Sequence, residues 1–406
     1  LEIFAQNPEY SAKLDSLINA KDKVPFKIFD KKNAEKLFGK NLNISASQLE
    51  KFNLCRFSYF CNYGLNVRER QRAEINPMQY GTIVHYILER FFGEYTKEEY
   101  LSLEEDKFQK IVCAYLAEYA VKYFGEEQLE SNSFTYRLKT ILDNVMYLMK
   151  HIMEELSQSE FFVADCELKI GEDIPSYTIV LPDGHKIAVC GSVDRVDIMQ
   201  RADITYLRII DYKTGTKQFK LSDILYGINL QMLLYLHSIE ASGGDKYGEI
   251  VPAGILYMPA TVPYISSDSL KSIDKLPDEL NKKLKMNGLL LKDTEIIHGM
   301  DKTDVATYIP VKIKAGEPVS STSLATLAEF GKIFKKVDML IAEMGKNIYN
   351  GNIEAKPLKG GHDSCEYCPY DSVCAYRQSN PITCFSVDNK TVIEEITNEI
   401  NGKEEE

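Results

Sequence analysis

From Ser45 onward the chain alternates between two spacings of apolar positions. In NISASQLEKFNLCRFSYFCNYGL they recur every three or four residues, the period of an amphipathic helix. Ser45 with Gln48 at the third position forms a capping pair that starts this helix, and Gly64 suits its end. After a loop at NPMQ, YGTIVHYILERFFGEY keeps helical spacing. So do FQKIVCAYLAEYAVKYF and LKTILDNVMYLMKHIMEEL, which together predict a helical stretch over residues 93–160. At about residue 160 the period drops to two. FFVADCELKI, YTIVL, KIAVCGSVDRVDIM and LRIIDYKTG read as strands, with a PDG turn at Pro182–Gly184. LSDILYGINLQMLLYLHSIEA returns to helical spacing, and IVPAGILYMPA reads as a buried strand. Residues 265–300 are rich in Lys and Asp and predict a surface excursion, and ATYIPVKI predicts an edge strand. SLATLAEFGKIFKKVDMLIAEMGKNIYNG predicts a long amphipathic helix. Helices, a strand meander, a helix, a strand and more helices make an α/β or α+β core with a large helical part. The predicted divisions are a connecting segment (1–43), a main domain (44–380) and an acidic tail (381–406) of solvated charge.

Composition narrows the class. The chain has 406 residues, 44% hydrophobic and 27% charged, as in soluble globular proteins. No apolar run approaches the roughly 18 residues of a membrane span. LEIFAQNPEY carries neither Met nor a signal-peptide pattern, so it reads as the start of a piece of a longer protein. The net charge of −12 argues against a general nucleic-acid coat but leaves room for a confined basic channel. Nothing suggests secretion, so the nine cysteines predict buried, metal-bound or catalytic thiols in a reducing, cytoplasmic compartment.

Within that frame, one strand stands out. In RIIDYKTG, Asp211 and Lys213 lie two residues apart and therefore share a face. Alone, that pair reads as a surface ion pair. Asp194, in GSVDRVD, supplies a second carboxylate from a neighbouring strand. Paired carboxylates suit a hard divalent cation such as Mg²⁺ or Mn²⁺, and the backbone carbonyl of Tyr212 offers a further ligand. Lys213 is placed to orient a water or to stabilise developing phosphorane charge. Gln231 and Tyr235 lie four residues apart, on one face of the following helix, and suit contacts to a phosphate or nucleotide. His85, one turn after Gly81 in an apolar helix, is either a structural histidine or a further metal ligand. Glu167, in DCELKI, points either to the site or to solvent.

Cys365, Cys368 and Cys374 follow the spacing C-x2-C-x5-C. Three thiolates this close suit a soft metal or cluster, and a tetrahedral site needs a fourth ligand. Cys384 and His362 close it locally; Cys55 or Cys61 closes it from the other end of the chain. A cross-link across so long a loop has a ceiling on the order of 5 kcal/mol.

GSVDRVD…RIIDYKTG…NLQMLLY resembles the PD-(D/E)-x-K nuclease superfamily, in the branch shared with RecB-type exonuclease domains. The flanking cysteines, with LEKFNLCRFSYFCNYGL before the nuclease motifs, are similar to those of the B subunits of AddAB-type helicase–nucleases. The resemblance covers roughly residues 40–380. It implies a central mixed sheet flanked by helices, with 93–160 as an insertion. It places His85, Asp194 and Asp211 at the metal, with Lys213, Gln231 and Tyr235 as further catalytic residues. It also implies a 4Fe–4S cluster on Cys55, Cys365, Cys368 and Cys374 that staples the ends of the domain, with Cys61 as rival to Cys55. The implied activity is metal-dependent exonucleolytic cleavage of single-stranded DNA during double-strand-break repair, beside an AddA-type partner and away from any membrane. A free-standing CRISPR-associated iron–sulfur exonuclease and a non-catalytic DNA-binding or assembly module are the alternatives. No G-x-x-x-x-G-K-[ST] loop occurs, so no ATPase is expected from this chain.

Overall fold

The computed structural model describes residues 27–68, 77–125, 129–215, 218–263, 276–320, 322–374, 376 and 381–404. Most of the connecting segment, including the predicted helical patch EYSAKLDSLINA, lies outside them.

The first described elements are a short helix, Lys31–Phe38, and β1, Asn41–Ile44. The helix predicted from Ser45 then begins as α1, Ala46–Leu54. Its capping box is formed: the Ser45 hydroxyl accepts from the Gln48 N–H, and the Gln48 side chain accepts from the Ser45 N–H. The helix does not run unbroken to Gly64. Cys55 adopts extended backbone, a single turn covers Arg56–Tyr59, and Phe60–Gly64 is wound as a π-turn. α2, Pro77–Glu94, buries Ile83, Val84, Ile87, Leu88 and Phe91. The helical stretch over residues 93–160 contains α3, Glu105–Phe124, and α4, Asn132–Ser157.

Among the described residues, six strands make the central sheet. They are β2 (Phe162–Ile170), β5 (Gly191–Arg201), β6 (Ile204–Lys213), β7 (Glu249–Pro259), β8 (Asn287–Leu291) and β11 (Leu324–Ala325). Their spatial order is β11-β8-β7-β6-β5-β2. β2, β5 and β6 are antiparallel neighbours, β6 and β7 run parallel, and β7 and β8 are antiparallel. The parallel pair requires a crossover, and α5, Gln231–Ser242, supplies it. β3 (Thr178–Val180) and β4 (Lys186–Val189) flank the PDG turn and join β1 in a three-stranded sheet. α6, Leu327–Tyr349, is the long amphipathic helix, started by a capping box of Thr326 and Glu329.

Three further expectations are corrected. The region predicted as a surface excursion contributes β8, whose Leu289, Leu290 and Leu291 are buried in the central sheet. Its short apolar run NGLLL carries the strand signal that the flanking charges obscure. The predicted edge strand ATYIPVKI yields only β9 (Lys312–Lys314), in a hairpin with β10 (Glu317–Val319) apart from the central sheet. The acidic tail includes α7, Asn389–Glu404, which seats Val392 and Ile396 in the main core and pairs Glu399 with Lys336 of α6.

Candidate active site and cysteine cavity

Strand pairing brings the predicted carboxylates together. In the β5–β6 hairpin Arg195 faces Ile210, so the register sets Asp194 beside Asp211. The Tyr212 backbone N–H donates to Asp194 Oδ2 at 2.9 Å. Asp211, 2% exposed, pairs its Oδ2 with Lys213 Nζ. Their shared face follows from strand alternation.

α2 delivers His85. Its Nδ1–H donates to Glu167 Oε1 at 2.8 Å, and its Nε2 faces Asp194 Oδ2 at 3.6 Å. Glu167 Oε2 accepts from the Ser192 hydroxyl at 2.8 Å. One Glu167 oxygen thus holds the imidazole and the other is held by Ser192, which leaves Nε2 aimed at Asp194. Glu167 adopts φ +51°, in the left-handed region that a strand residue rarely occupies. The Tyr212 ring meets His85 edge-on at 5.8 Å between centroids.

The charges are unbalanced: three carboxylates face one imidazole and one ammonium. Burial, and then the Asp211 charge, push the Asp194 carboxyl up to about 7. Burial works against ionisation of Glu167 as well, yet the hydrogen bonds from His85 and Ser192 bring it below the usual range. For His85, burial is outweighed by the Glu167 hydrogen bond and the Asp194 and Glu167 charges, so the imidazole is raised. A cation entering here would relieve the strain on Asp194.

The donor set fits a divalent ion. His85, Glu167 and Asp194 each offer a ligand atom, all within 4.8 Å of one another. Two ligands about 2.1 Å from a common ion stand roughly 3–4 Å apart, which the 3.6 Å between His85 Nε2 and Asp194 Oδ2 satisfies. Asp211 lies outside that trio, being paired with Lys213.

Gln231 and Tyr235 sit at the start of α5. Tyr235 packs over Gly191, where an added Cβ would lie 2.2 Å from the phenol oxygen, so only glycine leaves room. Burial raises the Tyr235 hydroxyl to about 12, with smaller contributions from Asp194 and Asp211, so the ring lies within their field. Gly81 has no such constraint, as the nearest atom to an added Cβ is 3.9 Å away.

The opposite face of the same strands holds a second charged group. Arg195, Asp197 and Arg208, with Glu155 from α4, are fully buried. Arg208 contacts Glu155 at 2.6 Å and Asp197 at 2.9 Å; Arg195 contacts Asp197 at 2.8 Å and Glu155 at 3.2 Å. Arg195 also donates to the Tyr212 hydroxyl at 3.2 Å. Tyr212 therefore joins this quartet to His85 and Asp194. Arg195 and Asp197 sit within GSVDRVD itself, but their pairing with Glu155 is not readable from spacing.

Cys55, Cys365, Cys368 and Cys374 line one cavity of about 160 Å³, with Phe57, Ser58 and Pro357. Four thiols around one cavity are the donor set of a cysteine-ligated cluster. Cys61 does not line the cavity, but it is buried in one cluster with Cys55 and Tyr370, with Cys368 and Cys374 packed against that cluster. Burial raises both the Cys55 and the Cys61 thiol. Cys384 is buried in a separate cluster with Ile228 and Leu358.

Among the described residues, no helix is long and apolar enough to cross a membrane. The chain matches the PD-(D/E)XK nuclease superfamily over residues 43–375. It is 35% identical over 397 residues to a protein of Clostridium kluyveri, a match covering 94% of this chain and 34% of that protein. A protein of Thermoanaerobacter sp. (strain X514) is 34% identical over 354 residues, covering 84% and 30%. One of Ruminiclostridium cellulolyticum is 33% identical over 398 residues, covering 94% and 34%. Each of the three is named as the B subunit of an ATP-dependent helicase/deoxyribonuclease. The chain spans about a third of the length of these curated relatives. A mixed sheet that sets Asp194 against Asp211 and Lys213, matched over most of the chain, places this protein in the PD-(D/E)XK nuclease superfamily.

Proposed function

We propose that this chain is the nuclease domain of a cytoplasmic, AddAB-type helicase–nuclease, acting as an exonuclease on single-stranded DNA in double-strand-break repair beside an AddA-type motor protein. The observation that carries the reading is the meeting of His85, Glu167 and Asp194 with the Asp211–Lys213 pair on adjoining strands. The names of the relatives support the assignment to a helicase–nuclease.

His85 and Asp194, with the Tyr212 carbonyl and with Asp211 on exchanging its Lys213 contact for the ion, would hold Mg²⁺ or Mn²⁺. Such an ion supplies Lewis-acid polarisation of the phosphoryl oxygen and a more acidic water. Glu167 would keep His85 in the tautomer whose Nε2 is free to bind such an ion, as carboxylates do beside metal-bound histidines. Lys213 orients the attacking water and stabilises charge developing on the phosphate. Gln231 and Tyr235 form the wall along which the strand passes. At the cysteine cavity, Cys55, Cys365, Cys368 and Cys374 would hold a 4Fe–4S cluster that ties the helix before the sheet to the segment after α6.

Asp211→Ala tests the site. Cleavage of a single-stranded oligonucleotide should fall roughly a thousandfold or more, because charge stabilisation and water positioning act together. Binding of the same strand should change little. Wild-type cleavage by this variant sinks the assignment.

A further inference from the structure

The first turn of α5 is held by another helix. Leu230 precedes it, and no side chain of its own caps it, so the exposed amides of that turn need outside acceptors. Glu50, on α1, provides one: its Oε1 accepts from Leu230 N–H at 2.8 Å and lies 3.4 Å from Gln231 N. Asn53, one turn further along α1, donates to the Gly227 carbonyl at 3.1 Å. Gly227 has φ +68°, and a Cβ there would lie 2.3 Å from Asn53 Nδ2, so glycine is required for that approach. The Asn229 amide, between these points, donates to Asp223. The turn from Gly227 to Gln231 is thus fastened to α1 at both ends, and α1 leads directly into Cys55.

The carboxylate at this helix N-terminus does two things. It satisfies amides that would otherwise fray, and its negative charge complements the helix dipole. Gln231 is the first residue of the helix and so is displaced first if the cap is lost. Tyr235 lies a full turn deeper, seated over Gly191.

We propose that Glu50 is a positioning residue of the nuclease, fixing the helix turn that presents Gln231 to the DNA strand. This rests on the reading of Gln231 and Tyr235 as the wall of the strand path. Its consequence is a division of labour: the metal-side residues set the rate of cleavage, and α1 sets how well the strand is held.

The test uses the full-length protein, an oligothymidylate substrate, saturating Mg²⁺ and no ATP. Glu50→Ala should raise KM roughly five- to tenfold, the effect of losing a good N-cap, and leave kcat within about twofold. Glu50→Gln, whose amide oxygen still accepts the same hydrogen bonds, should recover most of the loss. Glu50→Ala combined with Gln231→Ala should be no worse than Gln231→Ala alone, since both act through one contact. A wild-type KM for Glu50→Ala overturns the proposal, as does full additivity with Gln231→Ala. So does a fall in kcat at unchanged KM that tracks a lowered melting temperature, which would mark a purely structural role. Asp211→Ala separates the two levels. Cleavage that survives it overturns the nuclease reading, and this inference with it. Loss of cleavage in Asp211→Ala alongside a wild-type Glu50→Ala overturns only the role of Glu50.

Discussion

Glu167 shows how one side chain can govern a site it does not directly complete. Its two oxygens are spent on His85 and Ser192. We expect Glu167→Gln to weaken metal affinity by about 10–100-fold, the usual effect of removing such a partner. A Mg²⁺ titration of cleavage should show the half-saturation point rising while the rate at saturation is largely kept. Asp194, Asp211 and Lys213 were legible because each stands in a motif with its own chemical reason, whereas His85 was open between a structural and a ligand role until the resemblance assigned it. Glu167 stayed open between site and solvent, because alternation along β2 leaves two faces open and its φ of +51° breaks the simple pattern. Ser192 and Glu50 carried no signal, as their roles exist only once distant strands and helices meet.

At the level of elements, the buried quartet fixes α4 to the sheet. Breaking one partner leaves an uncompensated charge in the core, a loss of about 3–5 kcal/mol. Glu155→Ala should therefore lower stability by about that much in urea denaturation, whereas changing the exposed Glu105 of α3 should cost under about 1 kcal/mol. A second element contact is sensitive to pH. His237 of α5 hydrogen-bonds Asp338 of α6 at 3.0 Å, stacks on Phe334 and meets Tyr177, with Glu240 one turn away. Burial opposes its charge, but the Asp338 and Glu240 hydrogen bonds win and raise it to about 9. A histidine raised on folding contributes stability that is complete below its unfolded value, near 6.5, and is lost as pH rises through the folded value. Because Asp338 and Glu240 are partly exposed, the loss between pH 6.5 and 9 should be about 1–2 kcal/mol. Denaturation at pH 6 and pH 9.5 should show it, and His237→Phe should remove that dependence. The elements themselves were well marked where the period was long, as in α2, α4 and α6. β8 was hidden because five residues give too short a window against the charges around them. α7 was hidden because its acidic composition outweighs two buried residues, Val392 and Ile396.

Across the whole molecule, α1 links the cysteine cavity to the sheet: it leads into Cys55 and is bonded to the turn before α5. The parts that resemblance marked out, from α1 through the sheet to the last cysteines, are those the fold brings together. What could not be read was their mutual orientation, which depends on the α5 crossover and on the break at Cys55. Protein purified without oxygen should be brown, with broad absorption near about 400 nm from cysteine-ligated iron. Stoichiometric zinc without iron would rule the cluster out. Cys374→Ser should lower thermal stability, because metal-binding energy in such sites is also folding energy.

The same cavity sets a timetable. Cys55 is made before the strands of the central sheet, and Cys365, Cys368 and Cys374, the cysteines proposed to share its cluster, are made only after them. If the cluster forms, the thiol at the end of α1 waits while the whole sheet is synthesised, open to oxidation. Pulse-labelled nascent chains should show Cys55 reactive toward alkylating agents until the last cysteines appear, and protected soon after.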